Sequence, residues 1–467
     1  MKPFSPEDLS RRKFIGQCCA AVGATGMLSA LAQLRMIGAL AADATTAASD
    51  YKALVCIFLY GGNDSNNLLI PYDSSSYADY AAARTVLAIP QANLLPINAR
   101  TADPLGRKFA LHPSMPEMQA LFASGQFAIM ANTGTLTYPT TLTQYNSGTA
   151  SLPPQLFSHA DQQVQWQSSV PDKPFQTGWG GRLADMVNAL NGNSKISMSI
   201  SVAGQNSFQV GNSVTQYAVS PSGAVVLSGS TGSTLNTTRF STQKNILSLQ
   251  EANLFQAAFG AGTGDAINDS ALLTSILTAA PSLKTTFPNT TLGSQLQMIS
   301  KLISAAPALG LKRQIFFASL GGWDLHSDQL GAHASLFQQV SQGLNAFNNA
   351  TIEMGVAKQV TAFTASDFNR TFNTNGTDST TAGSDHGWGS NHMIMGGALV
   401  GGDIYGSVPQ LKLGSALDTG RGRWIPTTSV DEYSATLATW FGVSPTNLPT
   451  VLPNIGRFAI PNLGFLG

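Results

Sequence analysis

Apolar runs of seven residues recur at three places in the chain, and each stops at a short polar segment that carries an aspartate. Ala53–Leu59 (ALVCIFL) leads into Tyr60-Gly61-Gly62-Asn63-Asp64-Ser65-Asn66-Asn67, and Gln314–Leu320 (QIFFASL) into Gly321-Gly322-Trp323-Asp324-Leu325-His326. Gln359–Ala365 ends in Ser366-Asp367. Short apolar runs bounded by turn residues predict fully buried strands. Phe127–Ala131 and Met393–Val400 predict two more. Between them, Pro113–Gly125, Gly178–Asn191 and Asp328–Asn349 carry helical patterns; Leu183, Met186, Val187 and Leu190 mark the second. Ser429-Val430-Asp431-Glu432 is a capping box opening a helix with Tyr433, Leu437, Trp440 and Phe441 on one face and Gly442 beyond it. Strands alternating with helices predict an α/β fold: a large mixed, mostly parallel sheet covered on both faces.

The remaining stretches change that picture only locally. Residues 132–176 read as loop-rich, and Ile196–Ser228 as short β-like pieces around a turn at Ser220-Pro221-Ser222-Gly223. Asn236–Leu309 is helical in pattern and nearly free of reactive side chains. About 195–310 is therefore expected to be an insertion or cap on the main sheet. No internal repeat stands out.

Charged residues make up only 11% of the 467. No basic patch emerges, which argues against nucleic-acid binding. Ser10-Arg11-Arg12-Lys13-Phe14-Ile15 is a twin-arginine signal followed by a weakly apolar Ala/Gly stretch to about Leu34, and small residues at Ala39–Ala44 offer a cleavage site. Arg35 interrupts that stretch, so it makes a poor membrane span, and no later segment is long enough to be one. Residues 1–44 are thus expected to be a signal peptide, with the twin-arginine translocase as a partner during export and the periplasm or exterior as destination. Its removal takes five basic and three acidic residues, leaving 20 and 22. Cys18 and Cys19 go with it, and Cys56 remains as a buried free thiol within a strand, so no disulfide framework holds the mature chain. The twin-arginine route is that of proteins exported already folded, often with a metal loaded first.

The chemistry concentrates at strand ends. Asp64 follows the first run, Asp324 and His326 the second, and Asp367 and Arg370 the third; a Gly-broken loop then carries Asp385, His386 and His392. Six histidines serve the whole chain, so two within seven residues beside an aspartate form a marked concentration. Asp324 and His326 alternate by two and would face one side. If the three strands are neighbours, four carboxylates and three imidazoles meet at one sheet edge, where open α/β sheets bind ligands. A mixed Asp/His set without cysteine suits zinc, with manganese or iron as alternatives. Seven ligands are too many for one tetrahedral ion and suit two. Paired ions can activate water for in-line displacement at phosphorus or sulfur. His159, in Ser158-His159-Ala160-Asp161, is a ligand, a general base or a structural histidine. His333 reads as a surface or packing residue.

GGNDSNN (61–67), LHPSM (111–115), SHAD (158–161), GWGGRLAD (178–185), GGWDLH (321–326), SDFNRT (366–371), DHGWG (385–389), GGALVGGDIYG (396–406) and PTTSVDEYSATLATWFG (426–442) run in order through most of the mature chain. In these the sequence resembles the twin-arginine-exported proteins of domain of unknown function 1501, grouped with the alkaline phosphatase-like and sulfatase superfamily. The resemblance implies an α/β/α sandwich over 45–467 and two metals held by Asp64, Asp324, His326, Asp367, Asp385, His386 and His392. It implies an exported metal-dependent hydrolase of small anionic phosphate or sulfate esters, with Ser65 as the candidate nucleophile, Arg370 as anion holder and His159 as a further catalytic group. The alternative is a catalytically idle member kept as an exported binding or structural protein. Two positions depart from the superfamily pattern. Phe368, not histidine, follows Asp367, so His386 or His392 must supply that imidazole; and Asn66 and Asn67 crowd the expected nucleophile position. No C-x-P-x-R signature of formylglycine sulfatases occurs in the mature chain.

Overall fold

A computed structural model describes residues 51–467 apart from 193, 195, 226–229, 231 and 250–252; the signal segment, 1–44, lies outside the described residues. In chain order its strands are β1 (Lys52–Leu59), β2 (Leu69–Pro71), β3 (Leu95–Ile97), β4 (Phe109–Leu111), β5 (Phe127–Gly134), β6 (Ser199–Ser201) and β7 (Tyr217–Ser220). They continue as β8 (Gly223–Ala224), β9 (Arg313–Leu320), β10 (Val360–Ser366), β11 (Ser390–Gly396), β12 (Ile404–Tyr405) and β13 (Thr428–Ser429). Ten of them form one sheet in the order β12-β5-β11-β10-β1-β9-β6-β7-β8, with β13 also on β5. The pairs β10/β1, β1/β9, β9/β6 and β6/β7 are parallel, while β11 runs antiparallel to both β10 and β5. The fold is α/β with a mixed, mostly parallel sheet, as the alternation of runs predicts.

Helices cover both faces because the central strands are apolar on both. Cys56, Phe58, Phe363 and Ala365 share one face with Trp166, Trp179 and Tyr433, from helices His159–Ser168, Trp179–Val187 and Val430–Phe441. Phe363 meets Trp179 and Tyr433 at ring-centroid distances of 5.6 and 5.9 Å. Burying one such ring stabilises the fold by about 2–3 kcal/mol. Strand alternation turns Val55, Ile57 and Leu59 the other way. The layer on that side is built from Thr291–Ser304, which packs on β9, and Gln329–Glu353, which packs on it and on Pro116–Ala123.

Register decides where chemistry can gather. Leu59 is paired with Leu320 of β9 on one side and with Ser366 of β10 on the other. The three predicted strands are thus adjacent, parallel and flush at their carboxyl ends, which sets the following loops side by side.

The segment 195–310 does not behave as one unit. Its β6, β7 and β8 extend the main sheet, and Thr291–Ser304 belongs to a covering layer with Leu292, Leu296, Ile299 and Leu302 fully buried. Only the helices Thr234–Leu247 and Leu254–Ala279 stand apart, packed on each other and on β8. The loop-rich 132–176 likewise holds a helix, and His159 is its first residue. A second, three-stranded antiparallel sheet, β2-β4-β3, joins the helix Ser74–Arg84 in a cluster of Ile70, Tyr80, Phe372 and Trp424. Among the described residues, no helix is long and apolar enough to cross a membrane.

Candidate functional site

The loop after β9 carries Asp324 against the end of β1. Gly61 makes this possible: at φ +118° it tucks under the loop, and a Cβ there would collide with the Asp324 amide. A Cβ on Gly383 would likewise strike the Leu325 carbonyl and the His326 backbone, so the 383–386 segment can lie along that loop. Loops from β9 and β10 and the start of the His159 helix therefore meet at one point.

Four side chains converge there. His386 Nε2 lies 3.1 Å from His159 Nε2 and 3.1 Å from His326 Nε2. Asp324 presents Oδ1 to His326 Nε2 at 3.0 Å and to His386 Nε2 at 3.5 Å, and Oδ2 to His159 Nε2 at 3.4 Å. Ligand atoms of His159, Asp324 and His386 all fall within 4.8 Å of one another. Asp324 and His326 are 45% and 46% exposed, so the cluster opens to solvent and a small molecule can reach it.

The far nitrogen of each ring decides what the near one offers. His159 Nδ1 bonds Asp367 Oδ2 at 2.6 Å, His326 Nδ1 bonds Asp385 Oδ1 at 2.9 Å, and His386 Nδ1 bonds the Phe157 carbonyl at 2.8 Å. A carbonyl and two carboxylates can only accept, so each Nδ1 carries a proton, and each ring whose Nε2 is unprotonated turns that lone pair to the centre. Three lone pairs and a carboxylate facing one another repel unless a cation lies among them. Two imidazoles and a carboxylate oxygen, from His159, His386 and Asp324, with no thiolate, fit a zinc-type ion, and His326 stands beside them.

The surroundings act on the members of the set in different directions. Burial lowers the pKa of His386, which favours the neutral ring. The bond to Asp367 raises that of His159, so proton and metal ion compete for its Nε2. Burial alone would raise Asp324, but Arg370, bonded at 2.6 Å, brings it below the usual carboxylate range. Asp385 is lowered the same way, against its own burial, by Arg421 Nη1 at 2.6 Å and by His326. Asp367 is fully buried and also accepts from Gln163 Nε2 at 2.8 Å and from the Gly61 amide at 3.2 Å.

The residues expected at the site sort into three groups. Asp324, His326, His386 and His159 come together. Asp367 and Asp385 stand behind them and orient rings instead of facing the centre. Asp64, Ser65 and His392 are elsewhere. Asp64 Oδ2 pairs with the buried Arg84 guanidinium and accepts from Gln329 Nε2, while Oδ1 accepts from the Asn66 side chain at 2.9 Å. Its cation is therefore an arginine. The Ser65 hydroxyl is fully buried and accepts the Asn391 amide at 2.8 Å, out of reach of substrate. His392 sits inside β11, with its ring against Trp166 and Tyr433 at 4.5 and 6.0 Å, and burial drives its pKa to about 3. The two-ion set implied by resemblance is thus not assembled among the described residues; one cluster is, in which the ligand atoms of His159, Asp324 and His386 lie mutually close and His326 stands beside Asp324 and His386. Arg370 is also corrected: it is fully buried, its Nη groups bind Asp324, the Gly61 carbonyl and the Ser384 carbonyl, and it positions Asp324 instead of holding an anion.

Three contributors escape a reading of local pattern. The Phe157 carbonyl that sets the His386 tautomer belongs to a residue at φ +74°. Arg84 lies twenty residues from the aspartate it neutralises, on a helix with no sign of function. Arg421 reaches the site from a Gly-flanked loop, Thr419-Gly420-Arg421-Gly422-Arg423, whose spacing of glycine and arginine is a usable signal.

Among solved structures the chain is similar to the PsFucS1 sulfatase from Pseudoalteromonas sp., with 9% identity and a TM-score of 0.36 over 90% of this chain and 73% of that one. It is also similar to Ps i-CgsB, solved in complex with k-i-k-neocarrahexaose, with 8% identity and a TM-score of 0.35 over 88% of this chain and 78% of that one. No curated protein matches it by sequence. Residues 51–420 match the family described as Protein of unknown function (DUF1501), and the chain belongs to that family.

Proposed function

We propose that the protein is an exported hydrolase of small phosphate or sulfate esters, working with a single divalent ion held by Asp324, His159 and His386, with His326 beside them. The observation that carries this reading is the placement of His386 Nε2 at 3.1 Å from both other imidazoles, each turned inward by an acceptor on its far side. A bound ion would supply a Lewis acid for the ester oxygen and acidify water. The protein's own groups do the rest. Asp367 and Asp385 hold the His159 and His326 rings in orientation, and Arg370 fixes Asp324. With Ser65 committed to the Asn391 amide, water is the nucleophile. The twin-arginine signal at Arg11-Arg12 supports export through the translocase in the folded state, with the ion already in place.

A second reading has one specific support, the burial of Ser65: an exported protein that binds an ion and an anionic ligand without turnover. A panel of aryl phosphate mono- and diesters and aryl sulfates, with metal-loaded wild type and His386→Ala, separates the two. Turnover lost in His386→Ala supports the hydrolase. Fully loaded wild type that turns over nothing supports the binding protein.

A further inference from the structure

We infer that Arg421 and Arg423 form a second anion subsite beside the His/Asp cluster, so that the preferred ligand carries an anionic group beyond the one at the cluster. That this ligand is an ester rests on the hydrolase reading; the subsite itself does not.

The loop bearing the two arginines is firmly built. Asp418 Oδ1 accepts the amides of Gly420 and Gly422 at 2.8 and 2.7 Å, and Oδ2 that of Gly414 at 2.8 Å. Arg421 itself sits at φ +63°, a conformation costly for a non-glycine residue and retained where surroundings enforce it. Its carbonyl accepts the Phe372 amide at 3.0 Å.

Both guanidiniums are held by one edge and open at the other. Arg421 spends Nη1 on Asp385 Oδ2 at 2.6 Å and Nε on Asn373 Oδ1 at 3.3 Å. Arg423 spends Nε on the His386 carbonyl at 2.8 Å and lies over the Phe157 ring, 4.9 Å from its centroid. Among the described residues, no protein acceptor meets Arg421 Nη2 or either Nη of Arg423. Arg370, by contrast, turns both of its Nη groups to protein acceptors. Two cations two residues apart on one firmly built loop, each with donors unspent, suit an oxyanion, because guanidinium forks match its geometry.

Position separates this group from the cluster. Arg421 bonds the Asp385 oxygen that His326 Nδ1 does not use, on the side of that ring away from its Nε2, and Arg423 grips the His386 backbone, not its ring. An anion on these arginines is therefore a different group from one meeting the Nε2 atoms.

The test is equilibrium titration of metal-loaded protein with propane-1,3-disulfonate and propane-1-sulfonate, which cannot be hydrolysed as esters. Wild type should bind the disulfonate about tenfold tighter or more, and Arg423→Gln, loaded to the same metal content, should bring the two within about twofold. Equal affinities in wild type, or a preference that survives in Arg423→Gln, would overturn the inference. Should Arg423→Gln fail to fold, the wild-type preference is measured against salt. A preference that shrinks as ionic strength rises supports the charged subsite, and one indifferent to salt overturns it. Because no turnover is measured, an idle protein can pass and an active enzyme can fail, so the two readings fall separately.

Discussion

His386 Nε2 and His326 Nε2 face each other at 3.1 Å while their Nδ1 atoms are turned to the Phe157 carbonyl and to Asp385. Where neither Nε2 carries a proton, rings so oriented present lone pair to lone pair. The contact makes sense around a cation, and it ties metal content to groups that never face the ion.

Mature protein should accordingly bind one divalent ion per chain. His386→Ala and His159→Ala should each abolish most occupancy, whereas Asp367→Asn and Asp385→Asn, which loosen the rings without removing a group that faces the ion, should weaken affinity by about 10- to 100-fold. Elemental analysis after loading with zinc, manganese or iron, together with competition against a chelator, gives both numbers. Bound ion should also raise the thermal midpoint of wild type and not of His386→Ala. Full occupancy in His386→Ala would remove the site from consideration.

The strand ends are legible because, in an α/β chain, an apolar run stopping at Gly-Gly or Ser-Asp fits little besides a buried strand meeting its loop. Asp324 with His326 follows from alternation alone, and their 3.0 Å contact agrees with it. His392 misleads because it stands close in sequence to His386. It lies inside the apolar strand β11, where position along the strand, not distance from a motif, selects the face. Asp64 misleads for another reason. A strand-end aspartate announces a partner, but not whether that partner is an ion or an arginine brought by a distant helix, and only the tertiary packing of Tyr80 and Phe372 places Arg84.

Buried neutral histidines should make the fold sensitive to acid. Burial depresses His392 and His333 to about 3 and His112 to about 4. Unfolded, these rings titrate near 6.5, so the unfolded chain takes up protons that the folded one refuses. Their contribution is present above about pH 6.5 and is lost as pH falls towards 3. One such ring costs about 3 kcal/mol between pH 7 and pH 4. Denaturant unfolding in chelator, which removes the metal contribution, should show stability falling steeply over that window. His392→Phe, which can keep the contacts with Trp166 and Tyr433, should flatten the slope. An unchanged slope would mean that His392 is not held neutral.

Export should depend on the paired arginines. Changing Arg11 and Arg12 together to Lys should trap precursor with residues 1 to about 44 in the cytoplasm. Fractionation with N-terminal sequencing reads this directly, and normal export of the double variant would assign another route.

The sharpest prediction concerns the cation at Asp64. Arg84 is fully buried, binds Asp64 through Nη2, and donates through Nη1 to the carbonyls of Thr371 and Phe372 at 3.2 and 3.1 Å. Burial alone would raise the pKa of Asp64, but Arg84 brings it below the usual range, so the carboxylate stays charged inside the protein. Arg84→Met would leave that charge without its partner, at a cost of about 3–5 kcal/mol. Asp64→Asn in the same chain should recover part of the loss, since no buried charge then remains. Neither change should alter occupancy at the His/Asp cluster, because intervening groups separate Asp64 from Asp324: Gln329, Ser384 and Arg370 on one route, Asn66 and Arg370 on another. The informative measurement is the thermal midpoint of Arg84→Met with and without excess zinc. If Arg84 stands where no ion can be completed, zinc raises that midpoint by no more than it raises wild type. Rescue specific to Arg84→Met, with a second ion per chain, would mean that Asp64 belongs to a metal position after all, and the single-ion reading would give way to two.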